Sequence, residues 1–313
     1  MKKRFGAVLL ALLLLLSQTS CTEVRAAGTE EGLHRITRIL LLGLDRAASL
    51  ADTVMLVTVD ETAGEARILQ IPRDTYAEYT QKTYKKLNGA PAALGTEGFL
   101  QFLSHTLGVR IDRFVTLRPQ ALRRIVDAIG GVDVCIPQPM YYSDPAQGLE
   151  IALEAGERRL TGAEAEQFVR FRAGYANADL GRLDAQKLFL CAFAKRCKSL
   201  TVGEMLRAAL GALTTVETNL GVHEVVRLCG TLRTCDPDAT PMKTLSGEAV
   251  QGGSGAWYYA VNRAEAIRDV RAYLLPTPYK DADFDPDRVL DREDEPSFHR
   301  IYEADAEVSD PNG

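Results

Sequence analysis

The alternation of short β-branched runs with longer stretches of helical periodicity predicts an α/β fold in which helices pack on a central mixed sheet. Three observations carry that prediction. Residues 39–43, 53–59 and 66–71 form apolar runs of strand length. Residues 98–107, 119–129 and 183–200 place their apolar side chains at helical spacing. The two kinds of segment are interleaved along the chain rather than segregated. At 313 residues and 46% apolar, the chain has globular composition and enough length to bury one large core or two small ones.

The elements follow in order. The run at 39–43 leads into Leu44 and Asp45. The runs at 53–59 and 66–71 are joined by Asp60-Glu61-Thr62-Ala63-Gly64, a turn that makes them a hairpin. A helix over 98–107 and a strand over 114–117 come next, then a helix from Pro119 to Ile129 stopped by Gly130 and Gly131, and a strand over 132–136. Thr161 followed three residues later by Glu164 is a capping box that opens a helix running to Arg170 and Arg172. A long helix over 183–200, two further helical patterns to about residue 232, strands over 242–250 and 257–261 and a helix over 264–274 complete the reading.

The ends of the chain read differently. Lys2, Lys3 and Arg4 precede an unbroken apolar run from Gly6 to Leu16, the layout of an export signal. The run is shorter than the ~20 residues a membrane-spanning helix needs. Ser17 to Ser20 then lead to Cys21, so residues 1–21 are expected to be a signal peptide of lipoprotein type with Cys21 lipidated after cleavage. A plain secretory signal and an uncleaved signal anchor are the alternatives. Residues 22–35 serve as a tether, 36–275 as the folded domain, and 276–313 as a disordered tail. That tail is acidic, since residues 281–313 carry 12 Asp and Glu against 3 Arg. The protein is thus expected outside the cytoplasm, anchored on the outer leaflet of the cytoplasmic membrane.

With the formal charge of -5 concentrated in the tail, the body is near neutral and lacks the basic face that nucleic-acid binding requires. Cys135, Cys191, Cys197, Cys229 and Cys235 contain no C-x-x-C, and the four histidines are scattered, which argues against zinc. No G-x-S-x-G, H-E-x-x-H, G-x-x-x-x-G-K or G-x-G-x-x-G occurs.

What remains is a set of charges at element ends. Asp45 and Arg46 follow the first strand, Asp52 precedes the second, and Arg73 and Asp74 follow the third. The loop over 46–51 is short enough to bring Asp45 and Asp52 to one edge, where two carboxylates suit a hard cation such as magnesium. Each could equally cap a turn. Pro72 fixes the backbone before Arg73. Arg170 and Arg172 end one helix, and Asp179 and Arg182 open the next, with Gln186 at i+4 from Arg182. Arginine's planar fork matches phosphate oxygens, so this corner suits an anion, although an Arg-x-Arg also occurs as a solvated helix end.

Together these stretches spell a pattern. Leu41 through Asp45, Ala51-Asp52-Thr53, Gln70-Ile71-Pro72-Arg73-Asp74-Thr75, Lys86-Leu87-Asn88, Ile125 through Asp133, Leu160-Thr161-Gly162, Val169-Arg170-Phe171-Arg172 and Asp179-Leu180-Gly181-Arg182 with Gln186 closely resemble the LytR-CpsA-Psr family in order and spacing. The resemblance spans about residues 35–200, with a weaker echo over 242–275. It implies an α/β/α-layered domain around a hydrophobic tunnel for a polyprenyl chain. It also implies a magnesium- or manganese-dependent phosphotransferase of the Gram-positive type of envelope, passing a teichoic acid or capsular polysaccharide from undecaprenyl pyrophosphate to peptidoglycan, with pyrophosphatase activity on the side. In that scheme Arg73, Arg170, Arg172 and Arg182, with Lys86, Arg46 and Gln186, hold the substrate. Asp45 and Asp52 hold the metal, and Asp179 orients an arginine or assists with the proton. The chain departs from the family at Leu50 and Ala185, where arginines are usual. The alternative reading is a non-catalytic or weakly hydrolytic polyprenyl-phosphate-binding envelope protein with a regulatory role.

Overall fold

In the computed structural model the three predicted apolar runs form strands β1 (Ile36–Leu44), β2 (Ala51–Asp60) and β3 (Glu65–Ile71). The structure describes residues 35–47, 50–79, 85–144, 149–172, 181–213, 215–252 and 255–275, with residues 178–180 as backbone alone and Phe284 and Pro286 beyond them. The chain divides into units 1–33 and 34–313, and every element below belongs to the second. Cys21, the rest of residues 1–34 and nearly all of the acidic tail lie outside the described residues.

After β3 come α1 (Ala90–Thr106), β4 (Arg113–Leu117) and α2 (Pro119–Ala128). Helix α1 starts earlier than the sequence suggests. It is kinked at Gly95, whose φ of 73° only glycine adopts readily, and the predicted helical segment is the part beyond that kink. Then follow β5 (Val132–Ile136), β6 (Met140–Asp144), β7 (Leu149–Leu153), β8 (Gly156–Leu160) and α3 (Gly162–Arg170). The Thr161–Glu164 capping box forms as predicted, with reciprocal side-chain to backbone bonds. The chain continues through α4 (Ala178–Ser199), α5 (Val202–Ala212), β9 (Glu217–Thr218) and α6 (Val222–Thr234). It ends in β10 (Met242–Thr244), β11 (Gly247–Gln251), β12 (Trp257–Val261) and α7 (Arg263–Leu274). The strand expected over 242–250 is thus two strands in different sheets.

Among the described residues the central sheet has the order β10-β3-β2-β1-β4-β9 and is mixed. Strands β1, β2 and β3 run antiparallel, while β4 lies parallel to β1 and β10 parallel to β3. Alternation along the strands decides what each face meets. Leu40, Leu42, Val54 and Leu56 point into one apolar cluster with Phe99 and Leu103 of α1 and Val270 and Leu274 of α7. Full burial of each such side chain stabilises by about 1.5–3 kcal/mol. Leu41, Thr53 and Met55 point the other way, with Gly43 on the same face, towards residues of α2, α3 and α4. Helices therefore flank both faces, the layering the resemblance implies. A second apolar cluster joins α2, α3 and α4 to the antiparallel β5–β8 pair and the β6–β7 hairpin inserted between its strands.

Among the described residues no helix is long and apolar enough to cross a membrane. The five cysteines from Cys135 to Cys235 are free thiols. Burial, with the neighbouring Cys229, pushes Cys197 up to about 11.

Candidate active site

The end of the β1–β2 hairpin is irregular in a way that exposes a carboxylate. Gly43 pairs with Thr53 but Leu44 pairs with Ala51, so Asp52 is the extra residue of a β-bulge. Bulges of this kind re-aim a side chain. The Asp45 amide donates to the Leu50 carbonyl at 2.9 Å, which closes the loop and keeps Asp45 at the same edge. The bulge places Asp52 inside β2 rather than before it, and both aspartates belong to the same end of the β1–β2 hairpin.

Three arginines from three different segments meet on Asp52. Arg73, just past β3, donates from Nη1 at 2.7 Å, and Arg172, just past α3, from Nη2 at 2.9 Å. Arg182, in the second turn of α4, comes within 3.6 Å and is 1% exposed. All three make their closest approach to the same oxygen, Oδ1. Burial raises the Asp52 pKa, but Arg172, Arg182 and Arg73 together outweigh it and hold the carboxyl below its usual range. Arg73 is fixed from behind, since its carbonyl accepts the buried Asn88 amide at 2.9 Å. Asp74 extends the chain of charges, lying 3.9 Å from Arg73 and 3.4 Å from Lys86. Lys86 thus joins the group through Asp74, and its ammonium also lies over the Tyr258 ring.

A second carboxylate, which the sequence reading did not single out, gathers three more arginines. Glu166 of α3 is 2% exposed; its Oε1 accepts from Arg46 at 3.2 Å and from Arg170 at 2.9 Å, and its Oε2 from Arg123 of α2. Burial works against its charge, but bonds from Arg123, Arg170 and Arg46 prevail and hold its carboxyl low. The i, i+4 spacing of Glu166 and Arg170 was the available signal.

Both hubs border one pocket of about 770 Å³, counted with its open mouth. Its walls are Leu41, Leu44 and Met55 from the sheet, Leu117, Pro119 and Leu122 around the start of α2, and Val169, Phe189 and Leu190 from α3 and α4. Its polar side holds Asp52, Arg182, Gln186, Glu166, Arg170 and Arg118. Gln186 is buried and fixed, accepting from Gln70 at 2.9 Å and donating to the Val169 carbonyl at 3.4 Å. Asp179 lies in the first turn of α4, and its side chain is outside the described residues.

The arrangement suits an amphipathic anion, with an apolar body between sheet and helices and a charged head at the arginines. Among the described residues no three His, Cys, Asp or Glu converge as a closed metal cage. The donor set of two carboxylates on one hairpin end fits magnesium, which takes one or two protein carboxylates and fills its shell with water and phosphate oxygens.

The LytR_cpsA_psr family model matches residues 25–271. The chain belongs to the LytR-CpsA-Psr family. It is 27% identical over 246 residues to the polyisoprenyl-teichoic acid–peptidoglycan teichoic acid transferase TagV of Bacillus subtilis, a match covering 75% of this chain and 63% of TagV. It is 28% identical over 244 residues to the transferase of the same description, TagU, of Bacillus mycoides, covering 75% of this chain and 78% of TagU. The crystal structure of B. subtilis TagV superposes with a TM-score of 0.68 at 24% identity, covering 78% of this chain and 99% of that one. TagT bound to LIIa-WTA superposes with a TM-score of 0.62 at 23% identity, covering 82% and 98%. These likenesses establish the LytR-CpsA-Psr fold for this chain.

The two family departures now have surroundings. Leu50 offers its carbonyl to Asp45. Ala185 is 6% exposed inside the second apolar cluster, so an arginine there would be overpacked and its charge buried. Ala185→Arg is expected to lower stability by at least about 1–3 kcal/mol without raising activity, measured by urea unfolding beside a turnover assay.

Proposed function

We propose that this protein is a magnesium-dependent glycopolymer phosphotransferase of the cell envelope. It takes its donor from undecaprenyl pyrophosphate and its acceptor from peptidoglycan, and it works at the outer leaflet of the cytoplasmic membrane. The observation that carries this reading is the convergence of Arg73, Arg172 and Arg182 on Asp52, which with Arg182 lines the polar side of an apolar pocket. The names of TagV and TagU support it, since both are described as teichoic acid transferases.

In this reading the first isoprene units enter between Leu44, Met55, Leu122 and Phe189, the family's tunnel for the lipid. The diphosphate lies against Arg73, Arg172 and Arg182, with Arg170 beside them. An acceptor hydroxyl oxygen attacks the phosphorus that carries the glycan, the bond from that phosphorus to the bridging oxygen breaks, and polyprenyl phosphate leaves. Water in place of the acceptor gives the pyrophosphatase side reaction. Phosphoryl transfer is accelerated chiefly by positioning and by neutralising charge on the equatorial oxygens, which the arginines do. Asp45 and Asp52 would hold magnesium, which when bound supplies further neutralisation of the phosphate oxygens. Asp179 is assigned to orienting an arginine or taking the acceptor's proton, and Gln186 to fixing the head group.

The test is turnover of a short polyprenyl-diphosphate oligosaccharide by the full chain with a peptidoglycan oligomer and magnesium. Native protein is expected to release polyprenyl phosphate and join sugar to acceptor, and Arg73→Ala to lose at least about 10³-fold in rate. Tight lipid binding without product in any condition would replace the transferase with a binding protein.

A further inference from the structure

We infer that Glu166 is a positioning residue that pre-orders the cationic side of the pocket, with Arg123 acting on the ligand only through it. The inference rests on the reading of the pocket as a lipid-diphosphate site. Glu166 sits on the inward side of α3, whose other buried members are Gly162, Ala165 and Phe168. An apolar residue of similar size would pack there without desolvating a charge, and buried ion pairs are commonly no more stabilising than such a replacement. Stability alone therefore does not account for the carboxylate.

Its contacts point to another role. Both oxygens are engaged, Oε1 by Arg46 and Arg170 and Oε2 by Arg123. Arg170 borders the pocket beside Glu166, whereas the Arg123 guanidinium, among the described residues, is held by Glu166 alone and reaches the pocket only through that carboxylate. Helix α2 is brought close enough for this by Gly162, where a Cβ would stand 2.2 Å from the Arg123 carbonyl oxygen. Arg123 is thus delivered to Glu166 by the close approach of α2 to α3 at Gly162. A free arginine side chain spends much of its binding energy on being ordered, and one already held in its bound geometry does not. Glu166 holds Arg170 through Oε1 while Arg123 holds Glu166 from behind.

The test uses the full chain and two probes, farnesyl diphosphate and farnesyl monophosphate, with affinities from calorimetry and folding checked by circular dichroism and thermal melting. Native protein is expected to prefer the diphosphate. Glu166→Gln should weaken diphosphate binding by about tenfold or more and pull the diphosphate-to-monophosphate ratio towards one. Arg123→Met should do the same by about three- to fivefold, although it touches no ligand. A merely structural role would lower the melting temperature and leave that ratio unchanged. An unchanged ratio in the folded variants overturns the inference alone. Native protein that binds neither probe overturns the pocket reading and this inference with it. If Glu166→Gln does not fold, Arg123→Met decides, because its side chain is 42% exposed and its loss leaves Glu166 with Arg46 and Arg170.

Discussion

Arg182→Ala is expected to be the most damaging single change, lowering turnover by about 10³- to 10⁵-fold and stability by about 3 kcal/mol or more. Arg182 is the largest fully buried side chain among the described residues, and it reaches the same Asp52 oxygen as Arg73 and Arg172. Truncation removes a cation from a dry site, where charges interact more strongly than in water. It also opens a cavity between α4 and the sheet. Asp52 keeps two arginines, so its charge is not stranded, and the stability loss belongs at the lower end of the range for broken buried pairs. Arg182→Lys should not rescue, because an ammonium cannot reproduce the planar fork. Chemical unfolding separates the two effects. A folded but inactive Arg182→Lys supports the assignment, and a fully active one overturns it.

The layout of this site was partly legible in the sequence, for identifiable reasons. Strands β1, β2 and β3 were readable because β-branched runs are bounded by a turn, and α3 because Thr161 and Glu164 form a capping box whose geometry is local. The Asp52 hub was readable only as a set of motifs, since its arginines come from segments up to 130 residues from Asp52. Glu166 offered only its i, i+4 spacing to Arg170, which by itself does not mark a site residue. Its importance depends on α2 approaching at Gly162, a tertiary event that leaves no local periodicity. Strand β8 was missed for the same kind of reason: Gly156-Glu157-Arg158-Arg159-Leu160 is polar, and it becomes a strand by pairing with β5. Strand β7 had a weak signal, Leu149, Ile151 and Leu153 at every second position, which the structure turns into a strict alternation of buried and exposed residues.

Asp52→Asn is expected to cost about 10²- to 10³-fold in turnover and to abolish most of the response to magnesium, a magnitude in line with removing one preorganised electrostatic group. The substitution keeps the shape of the side chain but leaves Arg73, Arg172 and Arg182 facing a neutral amide, so the guanidiniums repel one another and the bulge loses the charge that gathers them. It also removes one of the two carboxylates assigned to the cation. The pH dependence gives an independent check. The folded-state pKa of Asp52 lies below its unfolded value, so the stabilisation from its charge is present above about pH 4 and is lost as the pH falls through the folded value. Native protein should therefore be more stable than Asp52→Asn at neutral pH, and the difference should shrink only once the pH drops below about 4. Equal stability of the two proteins at pH 7, or a native magnesium response that survives in the variant, would show that the three arginines are ordered by something other than this carboxylate.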